Sequence, residues 1–136
     1  LGETAVRRTG TDVTIVATGV MVSRALAAAE RLAADGVSAS VLDPRTLRPL
    51  DDRTIVDSVA ATGRALLVQE APKTGGFMSE IAARIVESAA FGRLQAPVSR
   101  LCGLDVPIPY APQLEQAAVP QVDDIVTQAG ELVRRW

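Results

Sequence analysis

Short apolar runs bounded by turn residues recur along this chain, and between them apolar residues return at every third or fourth position. The runs Val13-Thr14-Ile15-Val16-Ala17, Val37 to Leu42, Ala65 to Val68 or Gln69, and Pro97 to Cys102 predict strands. The wider spacing predicts helices between them. Val22, Leu26, Ala29 and Ala33 fall on one helical face, with Arg24, Arg31 and Asp35 largely away from it, and Gly36 stops that helix. Asp51 stands as the N-cap of a second helix, with Leu50 and Ile55 placed to pack across its first turn. Ile55, Val56, Val59 and Ala60 give that helix its buried face, and Gly63 ends it. A third helix is expected from about Gly76 to Ala90, with Phe77, Met78, Ile81, Ala82 and Ile85 at helical spacing. The last runs from about Val122 to Arg135, burying Ile125, Val126, Ala129, Leu132 and Val133. Asp123 and Asp124 sit at the positive end of its dipole, Arg134 and Arg135 at the negative end.

Strand and helix thus alternate three times before a strand, a loop and a final helix. That order predicts a three-layer α/β/α domain around a mostly parallel, mixed sheet. Residues 1–12 carry Glu3, Arg7 and Arg8 without an apolar face and read as a linker leading into a domain over residues 13–136. The stretch Val106 to Pro120 holds four of the eight prolines, and such density predicts an ordered loop, neither helix nor central strand.

Hydrophobic residues at 48% and charged ones at 22% are ordinary for a globular protein. No apolar run approaches the roughly 20 residues of a membrane helix, and no secretory pattern opens the chain. A net charge of −2 gives no basic footprint for nucleic acid. The single Cys, Cys102, forms no intrachain disulfide, which makes the cytosol the default compartment, and it reads as a buried structural thiol at a strand end. The absence of His removes the commonest general base and metal ligand. The chain begins Leu1-Gly2-Glu3-Thr4 without Met, which reads as a fragment or a processed piece.

Candidate chemistry concentrates where Ala65-Leu66-Leu67-Val68 runs into Glu70-Ala71-Pro72-Lys73-Thr74-Gly75-Gly76-Phe77. Strand-to-helix turns of this kind are where α/β proteins place working groups. Glu70 offers a general acid or base if burial raises its pKa; otherwise it accepts backbone hydrogen bonds or pairs with an Arg. Thr74-Gly75-Gly76 offers N–H groups for a phosphate, yet it matches neither glycine-rich phosphate signature, and the alternative is a tight turn that lets helix and strand pack closely. Arg45, fixed between prolines in Asp43-Pro44-Arg45-Thr46-Leu47-Arg48-Pro49, can grip a carboxylate of a substrate or neighbouring subunit, or stand solvated. Val106-Pro107-Ile108-Pro109-Tyr110-Ala111-Pro112 is apolar but irregular, as in a surface buried against another chain. Trp136 is a core plug or an interface anchor.

Taken in order, these segments resemble the C-terminal, transketolase-type domain of the β subunit of the decarboxylase component of 2-oxo acid dehydrogenase complexes. The resemblance also uses Gly10-Thr11-Asp12-Val13, Thr62-Gly63-Arg64, Ala96-Pro97-Val98 with Arg100, and Val119-Pro120-Gln121-Val122-Asp123-Asp124-Ile125. It implies a parent enzyme that decarboxylates pyruvate or a branched-chain 2-oxo acid on thiamine diphosphate and magnesium and passes the acyl group to a lipoyl arm. It implies further that the catalytic glutamate and histidine lie in a preceding domain of roughly 190 residues, so that this domain alone binds no cofactor and is inactive. Its implied partners are the α subunit, a second β subunit and the basic peripheral-subunit-binding domain of the acyltransferase. Arg45, Glu70, Phe77, Asp105, Tyr110, Glu115 and Trp136 are the expected contacts. Many relatives carry His or Asp where this chain has Gln69, which leaves no proton role there. The related alternatives are the equivalent domain of a transketolase or deoxyxylulose-phosphate synthase, and a self-contained anion binder using Thr74-Gly75-Gly76.

Overall fold

The computed structural model describes residues 1–136. Five strands form one sheet: β1 (Ala5–Arg8), β2 (Val13–Ala17), β3 (Ala39–Asp43), β4 (Ala65–Pro72) and β5 (Ser99–Gly103). Their order is β1-β3-β2-β4-β5, with β1 antiparallel to β3 and every other pair parallel. The helices are α1 (Met21–Ala34), α2 (Asp52–Thr62), α3 (Met78–Val86), α4 (Pro112–Ala118) and α5 (Val122–Arg135), with a short 3-10 helix at Ala89–Arg93. The expected mixed α/β/α sandwich is what forms.

Alternation along each strand divides the core in two. Val13, Ile15 and Ala17 of β2, Val41 of β3, and Leu66 and Val68 of β4 pack with α1 and α5. Val16, Leu42, Ala65 and Leu67 point the other way, onto α2 and α3. A strand covered on both faces is apolar almost throughout, which is why β2 reads as a run and not an alternation. Its one polar residue, Thr14, is fully buried, with its hydroxyl 2.8 Å from both Ser58 Oγ and Thr62 Oγ1. The helix ends follow the expected chemistry. Asp51 accepts from Thr54 N at 3.2 Å, Gly63 takes a left-handed φ of 74°, and Asp124 accepts from Gln121 N at 2.8 Å.

Besides shifts of one or two residues at strand and helix ends, four features differ from the sequence-based expectation. Ala5–Arg8, expected within a linker, is the edge strand β1; with Val6 and Arg7 exposed and Ala5 and Arg8 half-buried, it shows no apolar face. It is anchored by Thr4, whose N–H donates to Asp51 Oδ2 at 2.9 Å. The expected loop after Val106 contains α4, because Pro112 occupies its first turn, where a missing N–H costs nothing. The third helix ends at Val86, four residues early, and the chain continues into the 3-10 helix capped by Ser88. β4 runs past Glu70 to Pro72, pairing Pro72 with Gly103 after an irregularity in register. No helix of the structure is long and apolar enough to cross a membrane.

Candidate functional site

The β4–α3 junction is held from inside by Gln69. This side chain is only 4% exposed, and its Nε2 donates to the carbonyls of Ala71 and Pro72 at 3.3 and 3.0 Å. Its Oε1 accepts from the Met78 N–H at 3.0 Å and so serves the first turn of α3, which has no cap from its own N-terminal residue. Two glycines make room for this. A Cβ on Gly76 would stand 1.9 Å from Gln69 Nε2, and one on Gly103 would stand 2.2 Å from the Glu70 carbonyl oxygen. Gly75 supplies a left-handed φ of 73°.

From the other side, Asp105 closes the turn. Its carboxylate accepts from Thr74 N at 3.0 Å and from Thr74 Oγ1 at 2.6 Å. The Thr74 hydroxyl, followed by the Thr74 N–H, holds the Asp105 carboxyl below its ordinary pKa. Where a bound phosphate would seek the Thr74 N–H, a carboxylate of the chain already sits. The Gly76 and Met78 N–H groups are likewise taken, by the Lys73 carbonyl and Gln69, so the Thr74-Gly75-Gly76 turn spends most of its donors on its own packing.

Arg45, Glu70 and Phe77 gather at the carboxyl ends of the strands, where the chain order reverses between β2 and β4. They line two hollows that share Thr18, Gly19 and Leu47. Arg45 already spends part of its guanidinium inside the chain. Its backbone is left-handed, with φ 61°, and its Nε and Nη2 both donate to the Glu3 carbonyl, at 3.1 and 3.0 Å, pinning the segment before β1. Glu70 is exposed, and Phe77 is half-buried against the α2–α3 core. No three Cys, Asp or Glu side chains converge as metal ligands. Cys102 is half-buried rather than buried outright, and that burial pushes its thiol pKa up, away from a reactive thiolate.

Tyr110 and Glu115 belong to a different region. Between β5 and α5 the chain exposes Leu104, Val106, Ile108, Tyr110 and Leu114, with Tyr110 fully exposed and the others between 46% and 59%. Glu115 lies exposed beside Leu114 in α4. Trp136 is 54% exposed, with the Arg135 guanidinium 5.4 Å from its ring centre. Arg64 reaches the same end of α5, donating from Nε to the Leu132 carbonyl at 2.9 Å.

The seven nominated residues therefore do not meet in one place. Arg45, Glu70 and Phe77 share the strand-end hollows, Asp105 locks the turn, Tyr110 and Glu115 lie along the exposed stretch, and Trp136 ends α5. Sequence reasoning overlooked Gln69 and Arg64 as organisers. The usable signal for Gln69 was a long polar side chain closing an otherwise apolar strand. Leu104 and Leu114 extend the apolar surface expected at Val106 to Pro112.

The family described as transketolase, C-terminal domain, matches residues 2–125. The β-1 subunit of the mitochondrial pyruvate dehydrogenase E1 component of Arabidopsis thaliana is 48% identical over 126 residues, covering 93% of this chain and 34% of that protein. The 2-oxoisovalerate dehydrogenase β subunit of Bacillus subtilis is 44% identical over 133 residues, covering 97% of this chain and 40% of that one. A solved structure described as a split-gene transketolase, inactive β4 tetramer, has a TM-score of 0.83 at 31% identity, covering 97% of this chain and 41% of its own. The chain thus spans between about a third and two fifths of the length of these proteins. With its antiparallel-edged sheet, its two-sided core and this match over nearly all its residues, the chain belongs to the transketolase C-terminal domain family.

Proposed function

We propose that this chain is the assembly domain of a β subunit in a 2-oxo acid dehydrogenase, burying its Leu104–Leu114 surface against neighbouring subunits. One observation carries this reading. Five large apolar side chains stand exposed within one segment that is fixed at both ends, by Asp105 on Thr74 and by Leu104 N on the Ala118 carbonyl at 2.8 Å. An ordered apolar surface of this kind marks a contact with another chain. The relatives named as β subunits, and the neighbour described as a β4 tetramer, support the choice of partner.

The parent enzyme of this proposal oxidatively decarboxylates pyruvate or a branched-chain 2-oxo acid with thiamine diphosphate and magnesium. In this reading the cofactor is held outside this chain, and the solvent-exposed setting of Glu70 supports that. The domain's work is then to hold α and β subunits together and to help dock the basic peripheral-subunit-binding domain. Glu115, exposed beside the apolar stretch, is the carboxylate offered to that basic partner, since Asp105 is committed to Thr74 and Trp136 shares its groove with three cations against one side-chain carboxylate. The half-buried, unpaired thiol fits a reducing compartment such as the cytosol.

The test is co-expression of the complete β subunit with its α subunit, with and without Ile108→Ser and Tyr110→Ser together. Loss of the heterotetramer on size exclusion, with an unchanged melt of this domain, is the expected result. Intact assembly by the double variant would overturn the proposal, as would decarboxylation of a 2-oxo acid by this chain alone with thiamine diphosphate and magnesium.

A further inference from the structure

β5 is the outer strand of the sheet and pairs only with β4. Its residues Ser99 to Cys102 are half-exposed, whereas β2 at the centre is buried throughout. An edge strand presents backbone donors and acceptors that have no partner in the sheet. Along this edge lies a groove of about 340 Å³ that passes from β5 to the last turns of α5 and shares no lining residue with the Leu104–Leu114 surface. Lys73, Arg100 and Arg135 bring three positive charges to it, against the single side-chain carboxylate of Glu131. Arg100 is set in position rather than loose. Its Nη1 donates to Ser79 Oγ at 2.8 Å and to the Lys73 carbonyl at 3.3 Å, while Nε and Nη2 are left without a partner. Arg135, lying over Trp136, and the half-exposed indole form the other lip.

We infer that this edge takes an extended acidic segment of another protein, added as a sixth strand beside β5. Main-chain hydrogen bonds supply the attachment, and the cationic lips select an acidic segment over a basic one. A second copy of this chain is a poor occupant, because edge-to-edge pairing would press two sets of Lys73, Arg100 and Arg135 together. The groove therefore differs from the assembly surface in both partner and chemistry.

Trp136 is the only Trp in the chain, so its fluorescence reports on the groove alone. The probe is an acetylated, amidated heptapeptide alternating glutamate and valine, titrated into this chain. A saturable change in emission is expected, weakened at least tenfold by Lys73→Glu, whose fold is checked by circular dichroism. The same peptide N-methylated at alternate amides should also bind at least tenfold more weakly, because it cannot complete a strand ladder. Absence of saturation, or equal affinity of the N-methylated peptide, overturns strand addition. Sedimentation of the chain as a dimer together with no response to peptide would assign the edge to a second copy and overturn the inference as well.

Discussion

The β4–α3 junction and the Leu104–Leu114 segment are both rich in Pro or Gly, and hydrogen bonds from Thr74 to Asp105 join them, yet they spend their side chains in opposite ways. In the junction the polar groups are satisfied inside the chain: buried Gln69 binds two carbonyls and one N–H, and exposed Thr74 is bound twice by Asp105 from the segment. In the segment, apolar side chains face solvent with nothing of this chain over them. A turn whose Thr74, Gly76 and Met78 N–H groups are bonded within the chain has little left for a ligand. A fixed surface whose apolar groups are unused has much left for a partner. The residues that look most like an active site in the sequence are thus architecture, and the plainer stretch beyond β5 is the outward-facing one.

Removing the room that the junction depends on gives the largest expected effect. Gly76→Ala drives a methyl into Gln69 and to within 2.6 Å of the Pro72 carbonyl oxygen, and should cost about 3 kcal/mol in urea unfolding. A loss below about 0.5 kcal/mol would mean that the junction is looser than described. Gln69→Leu keeps the volume but strands the Met78 N–H and two carbonyls, for an expected loss of about 2 kcal/mol. Gln69→Glu sharpens this result, since it keeps the acceptor for Met78 but turns a negative charge toward the carbonyls of Ala71 and Pro72. It should rescue little.

Acid should act next. Asp51 is held below its ordinary pKa by the Thr4 N–H first and the Thr54 hydroxyl second, and Asp105 by the Thr74 hydroxyl first. A depressed folded pKa means that the unfolded chain binds the proton more readily. Both carboxylates therefore contribute their full stabilisation above about pH 4 and lose it as pH falls through their folded values. Protection of the Thr4 and Thr74 amides, relative to their intrinsic exchange rates, should fall together as pH drops below the ordinary carboxylate range, and Asp105→Asn should remove the pH dependence of protection at Thr74 alone. Smallest of all, Ile108→Ser with Tyr110→Ser should move the stability of this domain by no more than about 0.5 kcal/mol, while abolishing subunit assembly. A large loss of stability in that variant would erase the contrast between the two regions.

Sandwich architecture, the caps of α2 and α5 and the buried faces of the helices were legible in the chain, because period and capping are local. Asp51, Gly63, and the charged ends of α5 each act within a turn of their own position. β1 was not legible, since an edge strand with charged side chains on offer has no amphipathic signature, and its strand state depends on pairing with β3. α4 was hidden by the proline count, although Pro112 sits at the one helical position that tolerates it. In the candidate site, the exposed apolar stretch was foreseen from Val106 to Pro112, but the role of Gln69 was not, because its partners are spread over a turn whose path only the fold defines.

The sequence by itself determined what this chain is built to be: an α/β domain of the transketolase C-terminal type, without His and without a metal-binding pattern, whose Glu70-to-Phe77 turn identifies its kin. Only the tertiary structure decided what that turn does. Whether an N–H, a carboxylate or a guanidinium is free depends on which distant group it meets. Thr74 meets Asp105 thirty-one residues away, and Arg45 meets Glu3 forty-two residues away. Local pattern fixes the elements, while the availability of each polar group is settled by contacts that no window of the sequence contains.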